Sequence, residues 1–230
     1  LYESIRLAMD KRVREAIKTQ GLARSHITIL DALLKLRQVC CDPRLLKLDQ
    51  AKKVTQSAKL SLLMDLLPEQ IEEGRRIILF SQFTSMLALI EEELKKYNID
   101  YTKLTGQTIK RDEAIQRFRE GEVNLFLISL KAGGTGLNLT EADTVILYDP
   151  WWNPAVEAQA IDRAHRIGQD KPVFIYRLMV SGSVEEKMLA MQDKKRQLAK
   201  GIYSGKSKDE TPLLDTNTLQ NLFSPLESGF

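Results

Sequence analysis

Two arginines three residues apart, Arg163 and Arg166, with Gln159 one turn earlier, are the residues in this chain best suited to chemistry. On a helix that spacing puts all three on one face. A pair of permanently charged, planar guanidinium forks is suited to gripping a phosphate group. An arginine offered across an interface can speed phosphoryl transfer by roughly 10³–10⁵. The same pattern also fits a solvated helix face with Asp162 as an ion-pair partner. Upstream, Ala132-Gly133-Gly134-Thr135-Gly136 follows an apolar run, where glycines allow backbone amides close to an anion. A tight turn needing positive φ explains that run equally well. Trp151-Trp152-Asn153-Pro154 follows a run ending in Asp149. One tryptophan is expected in the core and the other is available to stack on a base or wedge into a groove. Ser81, Gln82, Ser129 and Lys131 are small, polar or basic groups of the kind that meet phosphate oxygens, or that any surface loop carries.

These residues need a frame. Apolar runs at 77–81, 100–104, 124–130, 144–148 and 173–180 alternate with amphipathic stretches at 84–97, 109–120 and 154–166. The alternation predicts an α/β fold: a parallel sheet with helices on both faces. Ligands of such sheets bind beyond the carboxyl ends of the strands. The turns at 81–82, 130–136 and 149–153 all lie on that edge. Residues 1–48 read as helical, with Ile5, Met9, Val13 and Ile17 on one stripe and Leu30, Leu33, Leu34 and Arg37 on another. Asp42-Pro43 ends the second of these helices, and Ser57 caps a third. A basic helix over 184–203 and a short one within 212–226 complete the pattern. The expected organisation is a helical protrusion and linker at 1–56, the α/β lobe at 57–203, and a flexible tail with a short helix at 204–230.

Two motif-like stretches are set aside. Gly201-Ile-Tyr-Ser-Gly205-Lys206-Ser207 is one residue short of a P-loop and follows a helix where a strand is required. Asp112-Glu113-Ala114-Ile115 is similar to a magnesium-binding acidic box, but it opens a polar helix, where acids suit the dipole. No triphosphate cradle and no Mg²⁺ site are therefore expected within this chain.

Composition bounds the rest. The 230 residues are 43% hydrophobic and 28% charged, with a net charge of +3, so nucleic-acid binding rests on local clusters. No apolar run reaches the ~20 residues of a membrane span. The two adjacent cysteines, Cys40 and Cys41, give no disulfide framework and suit a reducing compartment, the cytoplasm or nucleus. The chain opens on Leu1 inside a helical pattern, which reads as an excerpt of a longer protein.

Together these stretches resemble the C-terminal RecA-like lobe of Swi/Snf-type ATPases, in helicase superfamily two. Gln159-Ala-Ile-Asp162-Arg163-Ala-His165-Arg166-Ile-Gly168-Gln169 is similar to the family's sixth motif, and Ser129 through Leu139 to its fifth. Ile78-Leu-Phe-Ser81-Gln82-Phe83 is similar to its fourth, and Leu104-Thr-Gly106 with Arg111 to the segment after it. The resemblance implies an ATP-driven translocase on double-stranded DNA, with ATP and Mg²⁺ held by an N-terminal lobe and none held by this chain alone. It makes Arg163 and Arg166 the arginine pair completing the ATP site, with Gly136, Asn138 and Gln159 on the nucleotide side. Ser81, Gln82, Arg111, Ser129, Lys131, Gly133 and Trp152 would face DNA. Asp42 stands where many members have histidine, Trp151 where many have an acid, and Leu130 where threonine is common. Short connections point to a bacterial member; a DNA-bound protein complex is a further partner that the resemblance allows. An RNA helicase lobe and a non-catalytic DNA- or protein-docking module are the rival readings.

Overall fold

The computed structural model describes residues 1–48, 51, 53–54, 56–133, 137–164, 172–202 and 216–225. Backbone contacts divide the chain into two units, 56–179 and a second made of 1–55 with 180–230.

The 56–179 unit begins with α3 (Ala58–Glu72), capped by Ser57, whose hydroxyl accepts from Leu60 N at 3.3 Å. Next come β1 (Ile77–Ser81), α4 (Thr84–Lys96), β2 (Tyr101–Leu104), α5 (Arg111–Arg119) and β3 (Leu125–Ser129). A short helical turn, α6 (Leu130–Gly133), leads to β4 (Thr144–Leu147), α7 (Pro154–Ile161) and β5 (Phe174–Arg177). Among the described residues the strand pairings are all parallel, in the order β2-β3-β1-β4-β5. This is the expected α/β sheet with helices around it. Ser81 lies in register with Ser129 and Phe80 with Leu147, so the turns carrying the candidate residues leave the sheet together.

Burial follows the strand pattern. β1, β3 and β4 are buried at every position, as strands covered on both faces must be. Ile78, Phe80, Phe126, Ile128, Val145 and Leu147 pack with Phe118 of α5 and Ala160 of α7. α4 packs against β1 and β3. β5, at one edge of the sheet, departs from the expectation: Phe174 is 40% and Ile175 39% exposed.

In the other unit, α1 (Tyr2–Gln20) packs on α2 (His26–Cys41). Ile5, Met9 and Val13 are buried as their spacing requires. The buried stripe of α2 is Ile29, Leu33, Leu36 and Cys40 rather than one through Leu30 and Leu34, which are 54% and 40% exposed. Asp42 is extended before Pro43 and caps the turn Pro43–Leu45 through Arg44 N at 2.9 Å, while Arg44 pairs with its carboxylate. α8 (Val184–Ile202) contacts α2, and α9 (Thr216–Phe223) contacts α1 and α8.

Candidate functional site

β4 ends at a buried carboxylate. Asp149 is fully buried and accepts from Ser81 Oγ at 2.5 Å, from Gln82 N at 3.3 Å and from Gln82 Nε2. The Gln82 amide also donates to Pro150 O at 3.4 Å. Ser81 Oγ in turn accepts from Phe83 N at 3.1 Å. Beside this knot Lys59, 3% exposed, donates its ammonium to Tyr148 O at 3.0 Å. Neither Asp149 nor Lys59 was a candidate in the sequence. The available signal was an acid at the end of an apolar strand, where burial needs donors to answer it.

The Trp-Trp-Asn-Pro elbow follows. Trp151 is the core tryptophan, 2% exposed and edge-on to Phe80 with centroids 5.9 Å apart; Trp152 is half-buried. Asn153 caps α7, its side-chain oxygen accepting from Ala155 N at 3.0 Å, with Pro154 in the first turn, where its missing N–H costs nothing. On α7 Glu157 is 1% exposed and pairs with Arg177 of β5 at 2.6 Å. Among the described residues its other oxygen has no hydrogen-bond partner.

α7 is shorter than the 154–166 expected. Arg163 N bonds Ala160 O and Ala164 N bonds Ile161 O, three-residue steps that tighten the backbone into a turn after Ile161. Arg163 is 8% exposed, and its guanidinium donates to Leu137 O at 3.1 Å while its carbonyl accepts from Leu139 N at 3.0 Å. The side chain thus straps the segment that follows the glycine run. Arg166 and Gly136 lie outside the described residues, so the single helix face expected for the arginine pair is not seen. Gln159 and Arg163 line a narrow crevice with Gly133, Phe80 and Leu130, which brings three of the candidates together. Asn138 is exposed, its carbonyl accepting from Arg119 at 2.6 Å.

Ser129 is buried, its hydroxyl accepting from Ala132 N at 3.4 Å at the start of α6. Lys131 is exposed. Arg111 donates to Ala132 O at 3.3 Å, which sets two cations at one end of α6. Gly133 has a spatial reason for lacking a side chain: an added Cβ would sit 3.1 Å from Phe80 Cε1 and 3.4 Å from Ile128 Cγ2. At this edge Lys131 and Gln159 are exposed and Arg111 and Trp152 half-buried, while Ser81, Ser129, Gly133 and Arg163 are buried. Asp112 and Glu113 sit in the first turn of α5, Glu113 paired with Lys110, as acids at a helix start do. Among the described residues no three His, Cys, Asp or Glu side chains cluster as a metal site. No described helix is long and apolar enough to cross a membrane.

Residues 58–168 match the model of the helicase conserved C-terminal domain. The SWI2/SNF2 ATPase C-terminal domain of Sulfolobus solfataricus is 31% identical, with 96% of this chain and 92% of that one aligned at a TM-score of 0.72. The chain belongs to the SWI2/SNF2 ATPases. Within that family it is a C-terminal RecA-like lobe preceded by a helical segment. A second SWI2/SNF2 structure, the S. solfataricus ATPase core in complex with double-stranded DNA, is 33% identical. It covers 97% of this chain and 47% of that one at a TM-score of 0.74. An ATP-dependent helicase of Mycoplasma genitalium is 38% identical over 205 residues, 87% of this chain. This SWI2/SNF2 lobe spans about a fifth of the length of such curated relatives.

Proposed function

We propose that this chain is the C-terminal motor lobe of an ATP-dependent double-stranded-DNA translocase or remodeller. The observation that carries the reading is the carboxyl edge of the sheet. It sets the exposed Lys131 and the half-buried Arg111 and Trp152 beside the crevice of Gln159 and Arg163. The first group suits a DNA backbone: cations neutralise phosphates, and a half-buried indole can meet a groove or sugar. The second belongs to the nucleotide side. ATP and its Mg²⁺ are assigned to a preceding lobe of the same polypeptide; on this side the exposed amide of Gln159 suits phosphate oxygens.

Arg166 is assigned as the finger placed against the developing phosphoryl charge when the lobes close. Arg163, strapped to Leu137, holds the 137–139 segment, and with it Asn138, in place for that closure. Closing and opening of the two lobes with nucleotide moves the motor along the duplex, because nucleotide changes the lobes' affinity for one another.

In the full-length protein Arg166→Ala should abolish DNA-stimulated ATP hydrolysis, a loss of about 10³-fold or more, while DNA binding in a filter or anisotropy assay is retained. Turnover near the wild-type rate would reject the assignment. The 230-residue chain alone should hydrolyse no ATP; DNA-stimulated hydrolysis by it would reject the division of the ATP site between two lobes.

A further inference from the structure

Gln82 is read from its type as a donor to phosphate oxygens, yet its donors are engaged elsewhere. Its backbone N–H and its side-chain amide both point at the Asp149 carboxylate, and the amide also reaches Pro150 O. Ser81 is fully buried and turns its hydroxyl to the same carboxylate. A DNA backbone offers acceptors, so a glutamine whose N–H groups are committed has little left to give it. What the knot does touch is the start of the elbow. Asp149 and Pro150 lead directly into Trp151, locked edge-on against Phe80, and then into the half-buried Trp152.

We propose that Ser81, Gln82 and Asp149 form one positioning unit that fixes the elbow carrying Trp152, and that Trp152, not Gln82, meets the DNA. This rests on the lobe being part of a DNA translocase, and it reassigns two residues whose types suggest direct contact. Three donors converge on an acceptor-only group that is fully buried, an arrangement that holds only while all partners are present. Removing any one frees the start of the elbow and lets the indole swing.

The test is a set of double-variant cycles in the full-length ATPase, read as the DNA concentration giving half-maximal ATPase stimulation. Trp152→Ala should raise that concentration about tenfold. Gln82→Ala and Asp149→Ala should each raise it by about three- to tenfold, with turnover at saturating DNA within about twofold. In the Trp152→Ala background neither should add anything. Asp149→Asn should stay within about twofold of wild type. Its amide oxygen can take both Gln82 donors, while its NH₂ faces the Ser81 hydroxyl, which can accept. Should Asp149→Ala fail to fold, Gln82→Ala, at a half-buried position, carries the cycle by itself. Effects that multiply in the double variants, an unchanged DNA constant in Gln82→Ala, or an Asp149→Asn as damaging as Asp149→Ala would each overturn the proposal. A wild-type protein that DNA does not stimulate would instead refute the translocase reading.

Discussion

Gly133 looks like one of several interchangeable glycines in a phosphate-cradling run, but its neighbours make it singular. A Cβ there would press on Phe80 at 3.1 Å and Ile128 at 3.4 Å, both fully buried, and Phe80 is itself held edge-on by Trp151. Neither can retreat without disturbing the core beneath the elbow. Gly133→Ala is therefore expected to destabilise the 56–179 unit by about 1–2 kcal/mol, despite the better helix propensity of alanine. A urea denaturation series would show it as a lower midpoint at unchanged slope; a midpoint at or above wild type would mean the core yields more easily than its packing suggests. The pair Trp151-Trp152 shows what the sequence could and could not say at this scale. That one indole is core follows from composition, but which one depends on the exit angle of β4, set by Asp149 and its donors 67 and 68 positions away. Ser81 and Asp149 could not be paired from a single sequence, because nothing local links the ends of two strands so far apart.

Among the elements, the strands were the most legible, since β1, β3 and β4 are uninterrupted apolar runs that can only be buried on both faces. Helix ends were less so: α7 keeps the pattern of a helix to 166 but breaks after Ile161, where Arg163 turns inward to Leu137. A backbone carbonyl partner leaves no trace in residue types. The edge strands differ in how they are secured. β2 alternates buried and half-buried residues and is tied to α4 through Glu91, which accepts from Tyr101 Oη at 2.8 Å and pairs with Lys103 at 2.7 Å. Burial, reinforced by the hydrogen bond and charge of Glu91, pushes the Tyr101 phenol from its ordinary 10.0 up to about 12. A folded value above the unfolded one means the stabilisation is complete below pH about 10 and is lost as pH rises toward 12. Tyr101→Phe should accordingly lower the denaturation midpoint at pH 8 and fall less steeply than wild type between pH 10 and 12. Parallel pH profiles for the two proteins would detach Tyr101 from the alkaline limb.

At the scale of the whole chain the grouping of segments is itself testable. Residues 56–179 form a contiguous unit holding every strand of the described sheet, whereas the other unit is assembled from both ends of the chain. Its α1 depends on partners more than 180 positions away: the Tyr2 hydroxyl accepts from Val184 N at 2.7 Å, and Arg6 donates to Phe223 O. Lys187 reaches Ser224 Oγ at 2.8 Å, joining α8 to the end of α9. A two-helix hairpin of 55 residues deprived of those partners exposes the buried stripes of α1 and α2, and helices of this length are marginal without tertiary packing. Residues 56–179 expressed alone should therefore melt cooperatively, while 1–55 alone should show little helix by circular dichroism and regain it when 180–230 is supplied in trans or by a short linker. If 1–55 folds unaided, or if 56–179 melts without cooperativity, the division of the chain into a self-sufficient sheet unit and a helical unit closed by its two ends does not hold.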